Sequence, residues 1–292
     1  MKVGFVGVGV MGFPMAGHLQ QSGHAVTVYN RTAARADAWV QQYSGVAAPT
    51  PRAASEGADI VFSCVGNDDD VRSVLLGPDG VFAGLASSAI VVDHTTASAT
   101  LARELEAAAR ERGLGFLDAP VSGGQAGAEN GALTVMVGGD QAVYDRAQPV
   151  LDCYARCVRL LGPAGSGQLA KMVNQICIAG VVQGLAEAFT FSREAGLDTE
   201  AVVEVISQGA AQSWQMENRY QTMLAGDYEH GFAVDWMRKD LAMVLEEAES
   251  MGLELPVTHL VDQFYAEVQD MGGNRWDTSS LFARMQAQLE KN

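Results

Sequence analysis

The sequence predicts an α/β fold in which a doubly wound parallel sheet is followed by an all-α C-terminal domain. Short apolar runs alternate with glycine or polar turns and helical patterns through the first half of the chain. Residues 162–167, Gly-Pro-Ala-Gly-Ser-Gly, break this alternation, and no convincing strand follows them. We therefore predict two domains, at residues 1–163 and 164–292.

Seven apolar runs are the candidate strands of the sheet, and they fit one large doubly wound arrangement. They cover residues 2–6, 25–29, 60–64, 90–93, 116–119, 133–137 and 158–161. Helical patterns lie between them, such as residues 10–21, where Met11, Met15 and Leu19 share one face.

The C-terminal domain begins with a predicted helix at residues 168–195, about 40 Å long at 1.5 Å per residue. It is apolar nearly all round, which indicates burial among other helices or in a subunit interface. Further helices are predicted to start at Thr199, Asp235, Val257 and Thr278, with Asp198 and Asp277 as N-caps.

Composition restricts the partners and the compartment. The 292 residues are 48% hydrophobic and carry a net charge of −16, which indicates a globular protein that repels nucleic acid and anionic lipid. The four cysteines lack a Cys-x-x-Cys pair, so we interpret them as reduced, buried thiols of a cytoplasmic protein. The apolar run at residues 176–189 contains Gln183 and Glu187 and is too short to span a bilayer, so no membrane segment is predicted.

The first candidate strand is followed directly by a G-x-G-x-x-G motif that opens a helix. In this context the motif predicts a Rossmann-type dinucleotide site, with the phosphates at the helix N-terminus. The motif residues are Gly7, Val8, Gly9, Val10, Met11 and Gly12. Val65, after the third candidate strand, is also assigned to the cofactor site.

Asn30, Arg31 and Thr32 end the second candidate strand, where an NAD enzyme usually carries Asp or Glu. A carboxylate there would repel a 2′-phosphate, whereas an arginine can bind it. NADP(H) is therefore favoured, with NAD(H) possible. In the alternative interpretation, Arg31 is a solvated arginine beside a helix cap at Thr32.

Lys171 stands out because the chain has only four lysines and this one lies on the long apolar helix. Burial lowers the pKa of a lysine toward the range in which it exchanges protons. Asn174, three positions later, shares its helix face. A structural ion pair for Lys171 is an equally good interpretation of the residues alone.

Four motifs in order make the chain resemble the β-hydroxyacid dehydrogenases, the family of 3-hydroxyisobutyrate dehydrogenase and tartronate semialdehyde reductase. They begin at Gly4 (GFVGVGVMGFPMA), Asp118 (DAPVSGG), Gly165 (GSGQLAKMVN) and Lys239 (KDL). The resemblance covers nearly the whole chain and implies a homodimer or homotetramer.

The resemblance also implies a role for each candidate site residue. Lys171 is the catalytic acid/base, Ser122, Gly123 and Gly124 hold the acid group of the substrate, Thr96 lies at the nicotinamide, and Lys239 lies near the cofactor. A serine with consecutive glycines can form a carboxylate-binding nest, although a plain turn is the alternative. Two departures from the family pattern are His94, for which packing is expected, and Gln175, where many relatives have a second asparagine.

These residues predict hydride transfer between NADPH and a small carboxylate-bearing semialdehyde, with Lys171 as proton donor and Asn174 as positioning group. No metal is expected, because the lysine supplies the proton. An imine reductase of the same architecture and a non-catalytic dinucleotide-binding module are the alternatives. Trp214, Met216, Phe232 and Trp236 are candidates to line the substrate pocket, but we expect core packing for each.

Overall fold

The computed structural model describes residues 1–289, which form two compact units. The first unit is Met1–Lys171, and the second begins at Met172. The unit boundary lies within one long helix, so each unit is described separately.

Among the described residues, the first unit contains one sheet of nine strands. The strands are β1 (Lys2–Val6), β2 (Ala25–Tyr29), β3 (Val46–Ala47), β4 (Ile60–Ser63), β5 (Ile90–Asp93), β6 (Gly115–Asp118), β7 (Val121–Ser122), β8 (Leu133–Gly139) and β9 (Ala155–Gly162). Six strands are parallel neighbours in the order β3-β2-β1-β4-β5-β6, whereas β8 runs antiparallel to β6 and β7 and parallel to β9.

Helices of the first unit cover both faces of this sheet. They are α1 (Gly12–Gln21), α2 (Ala33–Tyr43), α3 (Pro51–Ser55), α4 (Asp68–Leu76), α5 (Val81–Gly84), α6 (Ala99–Glu111), α7 (Gly124–Glu129) and α8 (Gln141–Leu151). Phe5 packs in one core with Trp39 of α2, and its neighbour Val6 packs in another with Leu101 of α6. Because successive strand residues point to opposite faces, this division confirms the doubly wound arrangement.

Register brings the carboxyl ends of three parallel strands together. Ser63 at the end of β4 pairs with Asp93 at the end of β5, and Asp93 pairs with Asp118 at the end of β6. Ligands of open α/β sheets bind at this edge, so the candidate site is expected there.

The described part of the second unit is helical around a single apolar core, to which Phe189, Met237, Tyr265 and Phe282 contribute. Its helices are the greater part of α9 (Ser166–Glu194), α10 (Thr199–Ile206), α11 (Trp214–Ala225), α12 (Val234–Ser250), α13 (Pro256–Asp270), a 3₁₀ turn (Thr278–Ser280) and α14 (Leu281–Leu289). The predicted N-caps are confirmed: the Asp198 carboxylate accepts from Ala201 N, and that of Asp277 accepts from Ser279 N.

The structure differs from the expectations in three details. The sheet is not wholly parallel, because β8 runs antiparallel to β6 and to β7, which continues in the direction of β6. The two-residue strands β3 and β7 and the helix α11 were not predicted. Cysteine burial was also overestimated, since Cys64 and Cys153 are partly exposed and Cys157 and Cys177 are exposed.

Helix α9 is, by length and composition alone, apolar enough to cross a membrane. In its most apolar stretch, 44% is buried inside the protein. Core helices of soluble proteins meet the same criteria, so the feature is weak evidence for a membrane span.

Candidate active site

The glycine motif forms a tight turn between β1 and α1. Gly7 has φ +99°, and a Cβ there would overlap the carbonyl of Cys64. A Cβ on Gly12 would overlap the carbonyl of Gly7 and lie 2.8 Å from the Phe5 ring. Both positions therefore require glycine for packing.

The same turn leaves room for a dinucleotide. A Cβ on Gly9 would meet only Arg35 Nη1, at 3.7 Å, so the space beside this backbone is open. The first turn of α1 carries no acidic side chain, and Met11 makes no side-chain cap bond. The backbone N–H groups at the start of α1 and the helix dipole suit a pyrophosphate, so the residues present fit a bound dinucleotide.

Arg31 lies at the end of β2 with its side chain 85% exposed, and its Nη1 is 3.0 Å from Asp70 Oδ1. Asn30 Nδ2 donates to the carbonyl of Thr32, which precedes α2. Arg35, in the first turn of α2, was not predicted to belong to this group, although its guanidinium lies beside Gly9. Its place in the segment that directly follows β2 is the sequence signal that could have identified it.

Asp93 organises the loop that carries the predicted nicotinamide contact. Its Oδ1 accepts from Ser63 Oγ at 2.8 Å and from Thr95 Oγ1 at 2.8 Å. Thr95 Oγ1 also accepts from Val65 N at 3.0 Å, which ties the loop after β4 to the loop after β5. Burial raises the pKa of Asp93 to about 6, despite the hydrogen bonds from Ser63 and Thr95 that stabilise its charged form.

His94 packs in the core, as expected. Its ring stacks on Phe62 and bonds the carbonyl of Ala119 through Nδ1 at 2.6 Å and Tyr154 Oη through Nε2 at 2.8 Å. Burial lowers the pKa of His94 to about 4, so the ring is neutral at physiological pH.

Asp118 fixes the start of α9. Its carboxylate accepts from Gly165 N at 2.8 Å and from Gln168 N at 2.9 Å, as an N-cap side chain does. Burial raises the pKa of Asp118, while these backbone donors oppose the shift. Sequence reasoning used Asp118 as part of a motif and gave it no structural role.

Gln168 joins the first turn of α9 to the loop after β5. Its Nε2 donates to the carbonyl of Thr95 at 2.8 Å, and its Oε1 accepts from Ala97 N at 3.0 Å. The residue between these two bonded positions is Thr96. Lys171 follows one turn later on the same helix and is only 8% exposed, so the expected burial is confirmed.

Ser122, Gly123 and Gly124 form the junction between β7 and α7. Gly123 has φ +126° and Gly124 has φ +61°, and both glycines are exposed. A Cβ on Gly124 would meet no neighbouring atom within 4 Å, so space beside this turn is open. Glycine backbone beside open space, next to a partly exposed serine, suits a carboxylate.

In the second unit, a hydrogen-bonded series begins at Asn174. Its Nδ2 donates to Gln175 Oε1 at 2.8 Å, and Gln175 Nε2 donates to Asp240 Oδ2 at 2.7 Å. Lys239 Nζ lies 3.0 Å from Asp240 Oδ1 and 5.9 Å from the centroid of the Trp236 ring. Asn174 and Lys239 are thus linked through two buried residues.

The four residues suggested as candidates to line the pocket differ in burial. Met216 is buried in the helical core, as expected. Core packing was the wrong expectation for Trp214, Phe232 and Trp236, whose exposed fractions are 51%, 37% and 38%.

Comparisons with known proteins agree with this geometry. Residues 2–162 match the family model of the NAD-binding domain of 6-phosphogluconate dehydrogenase. Residues 165–285 match the model described as the NAD-binding domain of NADP-dependent 3-hydroxyisobutyrate dehydrogenase. Together the two models cover nearly the whole chain.

Individual relatives extend over the full length. The chain is 66% identical to an uncharacterized oxidoreductase of Shewanella frigidimarina, over 98% of each protein. It is 33% identical to 2-hydroxy-3-oxopropionate reductase of Escherichia coli, over 96% of each. Among solved structures, Mycobacterium tuberculosis 3-hydroxyisobutyrate dehydrogenase with L-serine superposes with a TM-score of 0.87 at 29% identity, over 97% of this chain and 98% of that one. The chain belongs to the NAD(P)-dependent hydroxyacid dehydrogenases, oxidoreductases that act on CH–OH groups and include 3-hydroxyisobutyrate dehydrogenase and 2-hydroxy-3-oxopropionate reductase.

Proposed function

We propose that this protein interconverts a small 3-hydroxy carboxylate and its semialdehyde with NADP(H), with Lys171 as the proton donor and acceptor. The observation that carries the proposal is the position of Lys171. It is a buried lysine one turn after Gln168, whose side chain bonds both neighbours of Thr96 at the ligand-binding edge of the sheet. We also propose that residues 1–163 hold the cofactor and that residues 164–292 serve substrate binding and oligomerisation.

Each group has one task in the reaction. NADPH would be held by the turn Gly7, Val8, Gly9, Val10, Met11 and Gly12 together with Val65 and Thr96, and it would supply a hydride to the carbonyl carbon. Lys171 Nζ gives a proton to the carbonyl oxygen as the alcohol forms, and it takes that proton back in oxidation. Asn174 orients the reacting oxygen, and Lys239 adds positive charge near the anionic cofactor.

Substrate selection is assigned to the carboxylate. Ser122 and the amides of Gly123 and Gly124 hold it, so that proximity to Lys171 lowers the barrier. The solved relative crystallised with L-serine, which is itself a carboxylate bearing a hydroxyl on the β carbon, supports this class.

The preference for NADP(H) rests on the end of β2. Asn30, Arg31 and Thr32 carry no carboxylate. The Arg31 side chain is exposed, and Arg35 adds a second guanidinium beside Gly9. Two cations near one site suit a 2′-phosphate.

We also propose a cytoplasmic homodimer or homotetramer. Phe191 on α9 is 73% exposed, which is unusual for a phenylalanine on the longest helix and suits a subunit interface. Light scattering after gel filtration measures the mass directly.

The test is a screen of small semialdehydes and cyclic imines with NADPH and NADH, and of 3-hydroxy acids with NADP⁺ and NAD⁺. We expect turnover that falls at least 1000-fold in Lys171→Ala, with Lys2→Ala as the exposed-lysine control. Equal rates in wild type and Lys171→Ala would remove Lys171 from the mechanism. Turnover of cyclic imines alone would favour the imine reductase, and cofactor binding without turnover of any substrate would favour the non-catalytic module.

A further inference from the structure

We propose that Gln168 is a positioning residue for hydride transfer, because its side-chain amide holds the Thr95–Ala97 loop against the first turn of α9. The inference rests on the proposed function, in which Thr96 contacts the nicotinamide and Lys171 supplies the proton. Gln168 touches neither reacting atom and acts through these two residues.

The two side-chain bonds of Gln168 enclose one loop position. Its donor bonds the carbonyl of Thr95 at 2.8 Å, and its acceptor bonds Ala97 N at 3.0 Å, so the planar amide spans Thr96. Gln168 is 1% exposed, and burial excludes water as a competing partner for these groups. The amide therefore sets the distance between this loop and α9.

The main chain of Gln168 is held as firmly as its side chain. Its N–H donates to Asp118 Oδ2 at 2.9 Å, and Asp118 Oδ1 also receives Gly165 N at 2.8 Å. Asp118 lies at the end of β6, whose register pairs it with Asp93, the residue that bonds Thr95 Oγ1. The start of α9 and the loop after β5 are thus fixed to adjacent strands, and the Gln168 side chain joins the helix to the loop by hydrogen bonds.

Helix geometry transmits this position to Lys171. Residues three apart lie on the same face of a helix, so the first turn that bears Gln168 also sets the origin of the Lys171 side chain. Hydride and proton must reach adjacent atoms of one carbonyl group, and a displacement of about 1 Å costs on the order of 100-fold in rate. A loop that moves relative to α9 would disturb both transfers together.

Substitutions can separate hydrogen bonding from packing. Gln168→Met keeps the length of the side chain and removes both bonds. Gln168→Glu keeps the shape, and only its protonated carboxyl can donate to Thr95 while accepting from Ala97. Gln141→Ala is the control, because Gln141 is an exposed glutamine of the same unit that bonds Asp145 on α8.

Three measurements test the proposal. In the cofactor-free protein, amide hydrogen exchange at residues 95–97 should be faster in Gln168→Met than in wild type and unchanged in Gln141→Ala. In Gln168→Met, kcat should fall by about 10- to 100-fold with a much smaller change in KM. The ratio of Gln168→Glu activity to wild-type activity should fall as pH rises through the pKa of the introduced carboxyl, which burial raises above its ordinary value, because the carboxyl then loses its proton.

Other results would overturn the positioning role. Faster exchange in Gln168→Met with an unchanged kcat would mean that the amide stabilises the loop without serving the reaction. A Gln168→Glu variant that is as active as wild type at pH 9, where the introduced carboxyl is ionised, would contradict the required donor. Absence of turnover by the wild type would instead overturn the proposed function, which the exchange measurement does not require.

Discussion

The Gln175 amide nitrogen donates a 2.7 Å hydrogen bond to Asp240 Oδ2, and both side chains are buried. The bond determines which way the Gln175 amide faces, because a carboxylate accepts only from the nitrogen. Gln175 Oε1 is consequently the atom that receives Asn174 Nδ2, at 2.8 Å. A carboxylate on α12 therefore orients the asparagine proposed to act with Lys171.

Replacing Asp240 tests this dependence. We expect Asp240→Ala to lower the free energy of unfolding by about 1–3 kcal/mol, since it leaves a buried amide donor without its acceptor. Asp240→Asn should lose less stability, because an amide oxygen can still accept from Gln175. Under the proposed function, kcat should follow the same order, with wild type highest and Asp240→Ala lowest.

Chemical denaturation and steady-state kinetics measure the two effects. Glu246→Ala, an exposed carboxylate on the same helix, should change neither. If Asp240→Ala were as stable and as active as Glu246→Ala, the bond would have no role in orienting Asn174.

Much of the fold could be predicted because local patterns determine it. Strands β1, β2 and β5 were predicted with their observed bounds, since each is a continuous apolar run that ends at a turn. The direction of β8 could not be predicted, because it depends on the pairing of Val121 with Val135 and not on its own sequence. Helix α11 was missed, because its polar sequence buries little beyond Met216 and Met223.

The candidate site also has a part that could be predicted from the sequence and a part that could not. The glycine turn is a local motif, and the overlap that a Cβ would make at Gly12 involves Gly7 and Phe5 of the same βαβ unit, whereas the overlap at Gly7 involves Cys64, which follows β4. The bond between Gln175 and Asp240 joins positions 65 residues apart, and the one between Gln168 and Thr95 joins positions 73 apart. A single sequence contains no pattern that connects such distant polar side chains.

Asp70 should weaken the preference for NADP(H). Its carboxylate lies 3.0 Å from Arg31 Nη1 and competes with a 2′-phosphate for the guanidinium. We expect Asp70→Ala to raise the NADPH to NADH ratio of kcat/KM by about two- to fivefold, the size expected of an exposed ion pair. Arg31→Asp should lower that ratio by more than tenfold.

Cofactor kinetics at low ionic strength provide the measurement, since salt screens exposed charges. Asp69→Ala is the matched control, because that carboxylate is 97% exposed and its ion-pair partner is Arg72. Undiminished use of NADPH by Arg31→Asp would contradict the assignment of Arg31 to the 2′-phosphate.

Gly12→Ala should abolish cofactor binding. The added methyl would overlap the carbonyl of Gly7 and press on the Phe5 ring, so the turn that holds the pyrophosphate would have to move. We expect a lower melting temperature and no further rise when NADP⁺ is added, as measured by scanning calorimetry. Gly180→Ala is the control, because a Cβ at this helical glycine meets open space and should raise stability by about 0.5–1 kcal/mol. A normal NADP⁺-induced rise in Gly12→Ala would contradict the assigned role of the turn.

The buried carboxylate of Asp93 should make stability depend on pH. Burial raises its pKa from 3.8 to about 6, so the folded protein binds this proton more tightly than the unfolded chain does. Its contribution to stability is complete below pH 3.8 and is lost as pH rises through about 6. Asp93→Asn keeps an oxygen for Ser63 and Thr95 and has no charge to bury.

The difference in unfolding free energy, Asp93→Asn minus wild type, should therefore increase by about 2 kcal/mol between pH 4 and pH 7, which is most of the effect of a shift of roughly two pKa units. His94 also titrates unusually, but it is present in both proteins and cancels in the difference. Asp118 repels the charged form of Asp93, so this repulsion is part of the measured difference. Urea denaturation at a series of pH values measures it, with the exposed Asp69→Asn expected to give a flat difference. A flat difference for Asp93→Asn as well would mean that the carboxyl end of β5 tolerates the charged form without cost.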